Sequence, residues 1–171
     1  MTSIHKSPSD SLILPDWEVS SGVKSCVTTR QGGVSEVPFD SLNLATHVGD
    51  NPEHVLQNRE ILERILAMPA SPRWLEQVHG TQVADDHCEA LCVADASYSN
   101  IAGHVCVVLT ADCLPVFFAS VDGREVAVAH AGWKGLLNGV LEATLERFKA
   151  ATHEIICWLG PAIGPDQFEV G

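Results

Sequence analysis

Two apolar runs, LPVFFASV from Leu114 to Val121 and REVAVAHA from Arg124 to Ala131, flank the pair Asp122-Gly123. Asp-Gly between strand-like runs favours a two-residue type I′ hairpin, whose central residues both take positive φ. With Val121 opposite Arg124, Pro115 falls opposite His130. Side chains alternate with period two, so Cys113 shares a face with Pro115 and is the diagonal neighbour of His130, about 7 to 8 Å away. Pro115 has no N–H, so this end of the hairpin must be an edge, a bulge or the start of a strand. A thiol and an imidazole therefore meet on one face at the hairpin's open end.

A metal held about 2.3 Å from sulfur and 2.0 Å from nitrogen bridges such a pair with modest bending. The third ligand candidate is His79, where the apolar run of WLEQVHGTQV ends in His-Gly beside a turn. Two imidazoles and one thiolate leave a fourth position for water or substrate, as catalytic zinc centres do, and set the ligand atoms within about 4 Å of one another. The spacing leaves other readings open. Any one histidine is by default a structural or surface residue, and Cys113 with His130 also fits a nucleophile and its base. A rival group of soft ligands, His87, Cys88 and Cys92, has no further Cys or His pair at finger spacing, so its ligand count fails. His104 and His153 precede apolar runs as strand-end residues without a partner pattern.

A hairpin needs further strands and a covering layer. The 171 residues, 46% hydrophobic, suffice for one domain with a core, and no repeat or low-complexity tract marks an internal boundary. Val23 to Thr29 alternates like a strand after a polar lead-in over residues 1–22, then breaks into the long loop RQGGVSEVPFDSLNL. From Asp50 the pattern turns helical, with Asp50 or Asn51 as cap, Pro52 in the first turn, and Val55, Leu56, Leu62, Ile65 and Leu66 on one side as far as Met68. Arg59 on this helix reads by default as a solvated residue. A second helix is expected from Lys134 to Ala150, with Leu136, Leu137, Val140, Leu141, Leu145 and Phe148 as its stripe. The fold class is therefore α/β, a single domain with a mixed β-sheet flanked by helices.

Ten basic against 22 acidic residues give a net charge of −12, which repels a phosphate backbone and excludes nucleic acid as a partner. No stretch reaches a membrane span and the first residues do not form a signal peptide, so a soluble, cytoplasmic protein is expected. Most of the six cysteines are then reduced thiols, with Cys26, Cys106 and Cys157 in apolar runs as core residues.

Several long stretches occur in order: TTRQGGVSEVPFDSLNLATHVGD, Asn58-Arg59, WLEQVHGTQV, Ala94-Asp95-Ala96, TADCLPV, HAGWKGL and WLGPAIGPDQFEVG. Together they resemble the laccase-domain, polyphenol-oxidase-like or multicopper-oxidase-like family. The resemblance implies a purine nucleoside phosphorylase with adenosine deaminase and methylthioadenosine phosphorylase activities. It also implies a Zn2+ site from the His of QVHG, the Cys of ADCLP and the His of HAGW, here His79, Cys113 and His130. A further C-terminal strand, helix and Cys-Thr and Arg-containing segment beyond Gly171 are implied too, which makes 23–171 a C-terminally incomplete domain.

Phosphorolysis needs donors for phosphate and for the departing purine as well as a metal. Arg30, Arg59 and His47 are the candidates, with the Gly32-Gly33 turn as a source of N–H groups and Asn43, Asp95 and Asp112 as residues that orient substrate or ligands. Asp112, adjacent to Cys113, points to the opposite face. The partners are then a purine nucleoside and phosphate, with a homodimer as the assembly considered. Competing readings are a copper phenol oxidase, which needs more paired His than the eight present, a Cys113 hydrolase, and a regulatory protein with structural zinc.

Overall fold

The structure, a computed structural model, describes residues 12–88 and 92–169; the first eleven residues of the expected lead-in lie outside that range. Two compact units make up the chain, Met1–Pro15 with Ser25–Met68, and Asp16–Lys24 with Pro69–Gly171.

In the first unit the strand expected over Val23 to Thr29 contracts to β2 (Val27–Thr28), antiparallel to β1 (Leu12–Ile13). Helix α1 (Pro52–Ile65) starts as the sequence indicates: Asn51 Oδ1 accepts from the Glu53 N–H at 2.9 Å and Pro52 occupies the first turn. Its buried side is narrower than the apolar pattern, since Val55, Asn58 and Leu62 are buried whereas Leu56 and Ile65 are exposed. Asn58 displaces the expected stripe because it is a polar hub. Its amide donates to Ser35 Oγ, Asn43 O and Ser41 O and accepts from the Val34 N–H at 2.8 Å, which ties the long loop to the helix.

The second unit is built on a five-stranded sheet in the order β4-β6-β8-β7-β9: β4 (Val83–Ala84), β6 (Ala96–Ser99), β8 (Val126–Ala131), β7 (Leu114–Ser120) and β9 (Ile155–Leu159). Only β4 and β6 run parallel, so the sheet is mixed, as expected. A parallel pair, β3 (Leu75–Glu76) and β5 (Cys92–Val93), stands beside it in the chain order. Alternation sorts the faces. Ala127, Ala129 and Ala131 share one face with Val116 and Phe118, and all join Val140 in the core. Burying each large apolar side chain there contributes about 1.5 to 3 kcal/mol. His130 and Cys113 have the opposite parity, so they project from the other face. There Phe117 stacks edge-on against Trp17 and Trp158, and Trp158 Nε1 donates to Asp16 at 3.0 Å.

The second helix is two short ones, α2 (Trp133–Asn138) and α3 (Val140–Leu145), because Gly139 adopts φ 96 between them. The break divides the expected stripe. Val140 is fully buried and Leu141, Leu145 and Phe148 pack on the core, while Leu136 and Leu137 are exposed. Most of the cysteines are free thiols, as expected: Cys26, Cys106, Cys113 and Cys157 are unpaired, while Cys88 and Cys92 form a disulfide, which consumes the rival soft-ligand group, and Cys157, expected in the core, is exposed on β9. Among the described residues no helix is long and apolar enough to cross a membrane.

Candidate metal centre

Strands β7 and β8 pair in the register read from the Asp-Gly turn, with Pro115 opposite His130 and Leu114 opposite Ala131. The turn itself differs. Of its two central residues only Gly123 takes positive φ, 72°, so it is not type I′. The Gly123 N–H donates to Ser120 O at 2.8 Å, and the Asp122 carboxylate accepts from the Ser120 hydroxyl and the Arg124 N–H, which holds Asp122 in place. Pro115 is the second residue of β7, where a missing N–H is tolerated.

A second register completes the row. Ala96 pairs with Ala129 across β6 and β8, and one step outward the His130 N–H donates to Asp95 O at 2.7 Å. Asp95, His130 and Pro115 therefore lie side by side over three strands, with Cys113 on the diagonal. His79 comes from the loop after β3 and holds φ 59, a left-handed conformation rare for a residue with a side chain. Its N–H and those of Val78 and Gly80 all donate to Asp95, whose other partner is His130 Nδ1 at 2.9 Å.

The ligand atoms of His79, Cys113 and His130 lie within 4.8 Å of one another, and this is the group of three or more such residues found among the described residues. Tetrahedral zinc sets these separations at roughly 3.3 to 3.6 Å from its bond lengths. The three must close by about an ångström, wider than the sequence expectation of about 4 Å but within reach of side-chain rotation. Gly132 leaves the room for them. A Cβ there would stand 2.7 Å from His79 Cδ2, 3.2 Å from Cys113 Sγ and 3.5 Å from His130 Cε1. A soft thiolate with two imidazoles and such a cradle fits a divalent metal such as zinc.

Burial pushes the Cys113 thiol up, and the carboxylates of Asp112 and Asp95 push it further. Reactive cysteines sit in electropositive surroundings. These surroundings do not activate a free thiolate, and the two imidazoles beside the sulfur complete a donor set of the kind that holds a metal. Asp112, expected on the opposite face, is exposed but its side chain hydrogen-bonds the Cys113 thiol, because both residues precede β7, where strand alternation does not hold; its carbonyl accepts from the Ile163 N–H at 2.8 Å.

The four substrate candidates belong to the first unit. Arg30 donates to the carbonyl and carboxylate of Asp40 at 2.6 and 3.0 Å. Asn43 donates to Asp50 at 2.9 Å and accepts from the Ala45 N–H. His47 is exposed, and Arg59 is half-buried rather than solvated, with Nε and Nη2 donating to Leu44 O at 3.0 and 2.7 Å. The Gly33 N–H is spent on Ser41 Oγ at 3.1 Å and the Val34 N–H on Asn58, so the Gly32-Gly33 turn is not an open anion nest. His104 has a partner the sequence did not reveal, Asp86 at 2.5 Å. The residues missed or only half seen are Asp95 and Gly132. A lone Asp in the apolar run VADASY was the available signal, because a buried carboxylate must find donors.

One cysteine and two histidines converging at one end of the inner strands β7 and β8 of a mixed sheet define a candidate mononuclear metal centre. Residues 24–171 match the family described as multi-copper polyphenol oxidoreductase laccase, and the chain belongs to that family. It is 55% identical to purine nucleoside phosphorylase YfiH of Escherichia coli K12 over 94% of this chain and 67% of that protein. A Pseudomonas aeruginosa protein also named purine nucleoside phosphorylase is 50% identical over 93% of this chain and 65% of its own length. A crystal structure of the Neisseria meningitidis protein NMB0706 superimposes with a TM-score of 0.89 at 45% identity, covering 94% of this chain and 66% of that one. The chain thus spans about two thirds of the length of these relatives.

Proposed function

We propose that this chain is the metal-bearing part of a zinc-dependent purine nucleoside phosphorylase. The observation that carries the reading is the convergence of His79, Cys113 and His130 within 4.8 Å, and the names of relatives at 50 to 55% identity support it. In the reaction, phosphate attacks the anomeric carbon of the nucleoside as the glycosidic bond breaks, giving ribose-1-phosphate and the free purine. When bound, the metal supplies Lewis-acid stabilisation of developing negative charge or lowers the pKa of a water. The chain's own contribution is to hold it by the three ligands and keep one position open. Arg30, Arg59, His47 and Asn43 are proposed to bind phosphate and nucleoside, with adenosine deamination and methylthioadenosine cleavage as further activities of the family. The family description alone points to copper oxidase chemistry, but a multicopper centre needs several His-rich groups, and one ligand group stands among the described residues.

The test is metal analysis of the purified protein followed by incubation with inosine, adenosine or methylthioadenosine and phosphate. Stoichiometric zinc with phosphate-dependent release of purine and sugar-1-phosphate is expected. Copper with phenol oxidation, or a zinc-loaded protein that leaves every nucleoside intact, overturns the reading. Alkylation that abolishes activity without loss of metal favours a Cys113 nucleophile instead.

A further inference from the structure

A carboxylate taken out of water is stable only where donors replace its hydration. Asp95 is fully buried, and four donors surround it. Oδ1 accepts from the His79 N–H at 2.9 Å and meets His130 Nδ1 at 2.9 Å; Oδ2 accepts from the Gly80 N–H at 2.6 Å and the Val78 N–H at 3.2 Å. Its backbone is fixed as well, with N–H donating to Gln82 O at 3.0 Å and C=O accepting from the His130 N–H. A carboxylate only accepts, so the proton of His130 resides on Nδ1, which leaves Nε2 as the ring nitrogen with a lone pair for a metal. The same carboxylate gathers three successive N–H groups and so holds His79 at φ 59, where a residue with a side chain does not rest unaided.

We propose that Asp95 is the positioning residue of the metal centre: one carboxylate that orients two of the three ligands, His130 through its ring and His79 through its backbone. The inference rests on the reading of His79, Cys113 and His130 as metal ligands. Partners of this kind usually change metal affinity 10- to 100-fold. Asp95 serves two ligands at once, so its loss falls at the upper end or beyond. An asparagine cannot substitute. Its oxygen satisfies one pair of donors, but its NH2 then confronts the other pair. Either the loop of residues 78–80 is released, or His130 is driven to the Nε2–H tautomer, which sets a proton where the metal must bind.

The experiment titrates the metal-free chain with Co(II) and reads the thiolate charge-transfer and d–d bands, in wild type and in Asp95→Asn. The expected result is one Co(II) per chain in wild type, at least 100-fold weaker binding in the variant, and altered d–d intensity at saturation. A melt of each metal-free protein separates lost folding from lost affinity: a lower melting point with unchanged affinity overturns the proposal. A second measurement needs no variant. Histidine 15N spectra of the metal-free wild type should show His130 as the Nδ1–H tautomer, and the Nε2–H tautomer overturns the proposal. A wild type that takes up no Co(II) overturns the metal reading and this inference together. Equal affinities in wild type and Asp95→Asn overturn this inference alone.

Discussion

Replacing Gly132 by alanine isolates the geometry of the metal centre from the stability of the fold. Gly132 has φ −61 and ψ 154, an ordinary extended conformation, so the backbone does not require glycine. On backbone grounds alone Gly132→Ala changes stability by less than about 1 kcal/mol, because the gain through the unfolded chain is offset by the poorer capping of alanine at the start of α2. The obstacle lies among the ligands. The new Cβ stands 2.7 Å from His79 Cδ2 and 3.2 Å from Cys113 Sγ, whereas carbons pack at about 3.5 to 4.0 Å. The His79 ring must therefore retreat by about 0.8 Å or more, against a tolerance of about 0.2 Å in metal–ligand distances. A displacement several times the tolerance effectively removes one ligand, and we expect metal affinity to fall at least 100-fold, about 2.7 kcal/mol. Competition with a chromophoric chelator measures the affinity, and thermal melts of the metal-free proteins should differ by less than about 1 kcal/mol. Wild-type affinity in Gly132→Ala would refute the assignment of Gly132 as the cradle, and so would a large loss of metal-free stability.

Glu125 gives the fold an acid limb. Burial pushes its pKa up, but the N–H groups of Lys149 and Ala150 and the Tyr98 hydroxyl outweigh that and hold it below the usual range. The depressed folded value means its stabilisation is present above the unfolded pKa of about 4.3 and is lost as pH falls through the folded value. Urea midpoints between pH 3 and 7 should therefore fall more steeply on the acid side in wild type than in Glu125→Gln. Asn58→Ala strands the Val34 N–H and the Asn43 and Ser41 carbonyls around a fully buried position; a loss of about 3 kcal/mol or more is expected in chemical denaturation, and less than 1 kcal/mol counts against the hub. Thiol titration of the metal-free chain should find exposed Cys157 first, while Cys106, pushed up to about 11 by burial, reacts last. Metal should protect Cys113 selectively.

The parts of this protein legible in the sequence are those set by neighbours along the chain. The hairpin register followed from two apolar runs and a short Asp-Gly connection, although the turn type did not, because Asp122 uses its side chain to stay out of the positive-φ region. Helix α1 announces its start through Asn51 and Pro52, yet its buried side departs from the apolar stripe, since Asn58 there satisfies the loop's polar groups. Gly139 looked like one residue in a long helix. Its effect depends on the packing of Val140 against the sheet, which no local pattern records. Asp95 was harder still. Its pairing with His130 crosses the long connection between β6 and β8, and its grip on His79 spans a loop flanked by a two-residue strand. Neither has a periodicity to betray it.

The β7–β8 register means that the address of His130 is written at the far end of the hairpin, beyond four more residue pairs and roughly 20 Å away. Surface turns ordinarily accept insertions and deletions, and Asp122-Gly123 looks like such a place. Here a single added or lost residue that shifts the pairing by one would turn His130 to the face of Ala129 and Ala131 and carry its imidazole into the apolar core. The turn thus behaves as a ruler for the metal centre. Length variation in this lineage should be frozen at that tip, even though no atom of it approaches the chemistry.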